Sequence, residues 1–181
     1  MVASGRVIAA VAILYAVGMA VADADDNDLN EVENVREYGA CKVFDRVDAF
    51  TDKRVVNLRC KTEKALLHMS IPPVGFPTMT LAITDKVVSS ADGKVQVDYR
   101  IGDHEGQSRT VAYKTTDKTS QVSIQELLAE DWLEELRDSD RVIFRYDGAS
   151  GKIDLTNSAQ LASDLQSRVR VSKAEAKARS S

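Results

Sequence analysis

The chain has 181 residues, with 24 Lys and Arg against 28 Asp and Glu, for a formal charge of −4. That balance argues against general nucleic-acid binding, which needs a cationic face to displace counterions from phosphates. The length suits one domain built around a single core.

Residues 1–6 carry one positive charge, on Arg6, and residues 7–21 are almost wholly apolar. Ala20-Val21-Ala22 then places small residues at the two positions a signal peptidase reads. The layout predicts a secretory signal peptide over residues 1–22, with Ala24 as a second cleavage point. The competing reading is a retained anchor. The apolar run of about 15 residues is shorter than the roughly 20 that cross a bilayer, and acidic residues follow at once. No cysteine stands near either cleavage point, which argues against a lipoprotein. The rest of the chain is expected to be periplasmic or secreted, with no stable membrane span after cleavage.

Export changes how Cys41 and Cys60 are read. In an oxidising compartment their default is one disulfide, worth roughly 3 kcal/mol for a loop of this size. A redox or metal pair is the alternative. It is disfavoured because the chain has no Cys-x-x-Cys and only two histidines.

Residues 23–30 (DADDNDLN) read as an acidic spacer. Leu29, Val32, Val35 and Tyr38 recur every three residues and predict a short amphipathic helix, with Asn27 or Asp28 as N-cap and Gly39 at its end. From Cys41 the period becomes two. KVFDRVD, RVVNLRC and ALLHMSI read as strands, the last two as a hairpin. IPPVGFP holds all three prolines and must be a loop. Further strands follow at Met79–Leu81–Ile83, Val95–Val97–Tyr99 and residues 109–115. Ser123-Ile124-Gln125-Glu126 fits a capping box opening a helix, with Ile124, Leu127, Leu128, Leu133 and Leu136 on its apolar face and Trp132 at the edge. Two strands about a turn at residues 147–151 precede a last helix capped by Asn157, with Leu161, Leu165 and Val169 as its apolar stripe. After Val171 the tail is small and charged and is expected to fray. The expected fold is mainly β. It is an antiparallel β-sandwich or curved sheet with a short N-terminal helix, one inserted helix and a C-terminal helix. Its boundaries are 1–22 signal peptide, 23–40 spacer and short helix, 41–171 domain and 172–181 flexible tail.

Catalytic chemistry is hard to assemble. His68 lies in a strand with Leu66 and Ser70 on its face. His104 stands between Asp103 and Glu105 in a glycine-flanked turn, without metal-ligand spacing. Glu130, Asp131, Glu134 and Glu135 crowd the inserted helix as an ordinary solvated face. No nucleophile elbow, phosphate loop, HExxH or calcium loop occurs. No catalytic residue, metal or cofactor is therefore assigned. The remaining candidates are for recognition. Val74 and Phe76 lie in the proline loop, where Phe76 either projects outward or tucks into the core. Tyr99 and Arg100, with Arg141, Arg145 and Tyr146, are candidates for an outward patch on the sheet.

Three blocks, VNLRCK (residues 56–61), VDYRIG (97–102) and FRYDGASGKIDL (144–155), occur in this order before a terminal helix. Together they resemble exported bacterial proteins of the type VI secretion-associated VasI/TagO family. A fainter likeness is to invasion-associated locus B proteins. The resemblance covers roughly residues 41–169 and implies a compact β-sandwich. The chain lacks the tryptophan frequent after the position of Arg109, carries Ser158 where a glycine is usual, and has no cysteine in its terminal helix. Cys60 would then pair with Cys41. Neither likeness supplies catalytic residues.

The sequence thus points to a non-enzymatic exported binding or accessory protein, partnered by another protein or an envelope component. The alternatives are an envelope hydrolase with a carboxylate cleft, or a secreted inhibitor or small-ligand binder using the proline loop.

Overall fold

The computed structural model describes residues 30–116, 118–125 and 129–180. The leader, its cleavage points and the acidic residues 23–29 lie outside the described residues. Within them, ten strands form one antiparallel sheet: β1 (Asn30–Tyr38), β2 (Cys41–Asp48), β3 (Arg54–Lys61), β4 (Ala65–Ile71), β5 (Thr78–Ile83), β6 (Lys94–Ile101), β7 (Gln107–Thr116), β8 (Thr119–Ile124), β9 (Arg141–Tyr146) and β10 (Ala149–Asp154). Helix α1 (Ala129–Arg137) joins β8 to β9, and α2 (Ser158–Arg179) follows β10. The mainly β, antiparallel, curved-sheet expectation describes this fold.

The strand order is β1-β2-β3-β4-β5-β8-β7-β6-β9-β10. The curvature comes from β7. Its residues 107–112 pair with β6, whereas residues 113–116 pair with β8. One strand therefore serves two halves, and the sheet turns over on itself until β10 packs on β4 and β5. Period-two alternation supplies the interior from both sides. Leu58, Leu67, Met69 and Leu81 come from one half and Val97, Ile101, Phe144 and Ile153 from the other, all fully buried. Gly151 is required by this closeness, because a Cβ there would stand 2.6 Å from the Phe144 ring.

Trp132, Leu133 and Leu136 of α1 and Leu161, Ala162, Leu165 and Val169 of α2 complete the core. Asn157 does stand at the start of α2, but in a left-handed conformation and without a side-chain cap bond. Its carbonyl accepts the Leu161 N–H at 3.0 Å.

Three expectations are corrected. Residues 30–38 form strand β1, not a helix. Asn34 adopts φ 53°, and the pairing with β2 slips between Glu33 and Arg36. This bulge inserts one extra residue, so an apolar spacing of three arises within a strand, and Val32 and Val35 are exposed. Ser123 and Ile124 belong to β8, opposite Thr80 and Met79. The Ser123 hydroxyl lies 3.2 Å from that of Thr80 rather than capping a helix, and Leu127 and Leu128 lie outside the described residues. Finally, the charged tail is the second half of α2. Buried Ser172 donates to the Arg54 carbonyl at 2.6 Å, and Arg179 Nη1 donates to the carbonyls of Thr51 and Asp52 at 3.2 and 2.5 Å.

Candidate binding surface

Strand register decides which turns share an end. Asn30 pairs with Asp48, Val47 with Arg54, Val56 with Ile71, Ser70 with Thr78 and Met79 with Ile124. The start of β1, the β2–β3 turn (residues 49–53), the β4–β5 connection (residues 72–77) and the end of β8 therefore lie at one end of the sheet. That end carries Phe50, Val74 and Phe76, which are 79 %, 78 % and 61 % exposed. With strands about 4.8 Å apart, the two hairpin tips sit roughly 10 Å from each other.

The tips are held firmly. The Asp48 carboxylate accepts the N–H groups of Phe50 and Thr51 at 3.1 and 2.7 Å and the Thr51 hydroxyl at 2.8 Å. The Thr51 hydroxyl, then its N–H, hold the Asp48 carboxyl below its ordinary range. Asp48 and Asp52 close the turn through a backbone bond of 2.8 Å. In the second tip, three prolines restrict the backbone, and Pro77 is buried while Val74 and Phe76 project. The last turns of α2 reach this same end through Arg179. Lys53 stands on the β2–β3 turn and Lys173, Lys177 and Arg179 on the last turns of α2, with Asp48, Asp52 and Glu175 as nearby acids. Exposed apolar side chains with cations at the same end suit recognition of a surface.

Two concavities complete the picture. A cleft of about 410 Å³ lies between the β1–β2 edge and α2, lined in part by Asn34, Asp45, Arg54, Asp164, Arg168 and Glu175. Its charges are engaged with one another. Arg54 binds Asp45 at 2.8 Å, Glu33 at 3.2 Å and Glu175 at 3.3 Å. Arg168 binds Asp164 at 3.0 Å and Asp45 at 3.4 Å. Burial pulls the Arg168 guanidinium down, but bonds to Asp164 and the charges of Asp164 and Asp45 outweigh it and raise it. This network fastens α2 to β2 and β3. A second hollow of about 310 Å³ is formed by residues 102–104 and 138–140. There Asp103 and Asp140 pair with Arg141 at 2.8 and 3.0 Å. Among the described residues, no group of three His, Cys, Asp or Glu side chains is placed to hold a metal ion.

The remaining sequence candidates separate. Tyr99 and Tyr146 are buried in the core, which corrects the expectation of an outward patch. Alternation sends their neighbours Arg100 and Arg145 to the other face, where both are exposed. Arg145 binds Asp98 at 2.8 Å. His68 Nε2 lies 3.1 Å from Asn57 Oδ1 across β3 and β4. Asp131 and Glu134 face solvent. Phe50 was not a sequence candidate, although an aromatic residue inside a turn carries the same signal as Phe76.

Cys41 and Cys60 are direct cross-strand partners with Cα atoms 3.9 Å apart, joined by a disulfide with an S–S distance of 2.10 Å. The bond is buried at the end of the sheet opposite the tips. Among the described residues, no helix is long and apolar enough to cross a membrane. Compared with known proteins, the chain matches no family model, and no curated protein or solved structure shows significant similarity to it.

Proposed function

We propose that the protein is an exported, non-enzymatic binding or accessory protein of the cell envelope that makes contact through the Phe50–Val74–Phe76 end. The observation that carries this reading is the placement of three exposed apolar side chains on neighbouring tips. Rigid presentation lowers the entropy lost on binding, and exposed apolar clusters of this kind mark interaction sites. The leader pattern and the buried disulfide support an oxidising destination. A binding role is further supported by the ionisable groups of the cleft between the β1–β2 edge and α2, which are committed to mutual ion pairs. The resemblance of the strand blocks to VasI/TagO-type proteins adds a secretion-associated setting to the proposal.

The test is fractionation of a bacterial host expressing the full chain, with Phe50→Ser/Phe76→Ser as comparison. The expected product is shortened, oxidised and outside the cytoplasm. The double variant should be exported and melt like the parent, yet lose association with the envelope fraction. A full-length, reduced product in the cytosol would refute the reading, as would a variant that stays with the envelope.

A further inference from the structure

Resting on that reading, we infer that the tip end docks peripherally on an anionic phospholipid surface. Three observations converge on one occupant. First, the exposed groups are two phenyl rings and a valine at hairpin tips, able to enter the headgroup–acyl boundary without a change in fold. Phe50 and Thr51 already donate their N–H groups to Asp48 within the β2–β3 turn, so shallow insertion of that tip strands few backbone groups.

Second, cations stand at the same end of the fold. Lys53 is on the first tip, and Lys173, Lys177 and Arg179 are on the last turns of α2, which Arg179 ties to Thr51 and Asp52. A ring-plus-cation rim matches an acidic lipid interface, where basic groups near the surface are attracted over about a Debye length. Asp48, Asp52 and Glu175 oppose this locally; Glu175 is paired with Arg54, whereas Asp48 and Asp52 keep their charge and stand against the four cations.

Third, the chain enters the fold at this end. β1 begins at Asn30 opposite Asp48, and the apolar residues 7–21 precede it across residues 22–29. That stretch reaches at most about 28 Å. While the leader occupies the membrane during export, the tip end is the part of the domain held nearest the bilayer. Asp23, Asp25, Asp26 and Asp28 disfavour adsorption of the connecting stretch itself, so the contact falls to the tips.

The experiment uses the purified oxidised protein and vesicles of phosphatidylglycerol and phosphatidylcholine in equal parts, with pure phosphatidylcholine as reference. Co-sedimentation is expected with the anionic vesicles. It should weaken about tenfold for each of Phe50→Ser and Phe76→Ser, and weaken further as salt rises. Phe76→Trp should show a blue-shifted emission on anionic vesicles, above the background of buried Trp132. No vesicle binding, or equal binding by the double serine variant, overturns the inference. So does displacement by inorganic phosphate, which would identify a simple ion site.

A photo-crosslinking residue at position 76, used in cells, separates the two levels of the argument. A lipid adduct supports docking. A protein adduct without vesicle binding removes the lipid surface but leaves an envelope binding protein. No adduct and no vesicle binding remove both.

Discussion

The hydroxyl of Tyr146 in β9 accepts the N–H of Ile83, the last residue of β5, at 2.7 Å and donates to the carbonyl of Ser120 in β8 at 2.9 Å. One buried side chain thus satisfies two backbone groups across the fold-over and pins the two halves of the sheet together. Tyr146→Phe keeps the ring but leaves a buried donor and a buried acceptor without a partner. The expected loss is about 2 kcal/mol, seen as a lower urea midpoint with an unchanged slope. An unaltered midpoint would mean that the closure does not depend on this bond pair.

The Cys41–Cys60 bond closes its loop directly across β2 and β3, and both residues are buried. Cys41→Ser/Cys60→Ser should lose about 3 kcal/mol while retaining the strand content. Burial also predicts that a thiol reductant reaches the bond through opening of the fold, so reduction should speed up in step with added urea. Reduction at full rate without denaturant would contradict the buried placement.

Asp45 is shared by Arg54 and Arg168, the former from β3 and the latter from α2. Asp45→Asn removes the charge both guanidinium groups lean on. Breaking a buried pair by deleting one partner costs about 3 kcal/mol. Because Ser172, Glu175 and Arg179 make the neighbouring helix contacts, the loss should appear as faster amide exchange in residues 168–179. Exchange in β6 and β9, remote from this cleft, should change only with global stability.

These contacts explain what the sequence could and could not reveal. Alternation in ALLHMSI or KVQVDYRI writes a buried and a solvated face into the chain, and those strands are legible without coordinates. Residues 30–38 were not, because the bulge at Asn34 breaks the period of two and mimics a helical spacing. Ser123 carried a helix-start pattern that pairing with β5 overrode, since local capping is worth less than a place in a closed sheet. The second half of α2 reads as a loose charged tail because its partners, the Arg54 carbonyl and the residue 51–52 carbonyls, lie more than a hundred positions away. The tip shows the same limit. Val74 and Phe76 were visible in the proline loop, but their neighbour Phe50 became part of the surface only through strand register.

Phe76 projects from its loop, so Phe76→Ala should change stability by no more than about 0.5 kcal/mol. A core phenylalanine would cost about 3–5 kcal/mol. A thermal melt therefore decides between a presented ring and a packed one, independently of any binding measurement. Ile101→Ala, at a fully buried position, serves as the contrasting control and should melt well below the parent.

Asp98 on β6 is held at about 2, against an ordinary value of 3.8, by hydrogen bonds from Ser108 first, then Arg145 and Gln96. Lowering a carboxyl in the folded state stabilises the fold above the unfolded-state value and withdraws that contribution as pH falls through the folded one. The contribution of Asp98 is thus complete above about pH 4 and declines toward about pH 2. Ser108→Ala and Arg145→Ala should each move the Asp98 carboxyl upward in a carboxyl-carbon NMR titration. Each variant should be less stable than the parent at neutral pH, and the difference should shrink as the solution is acidified across that window. A gap that stayed constant down to pH 2 would show that the substitutions act through something other than the ionised Asp98 carboxylate.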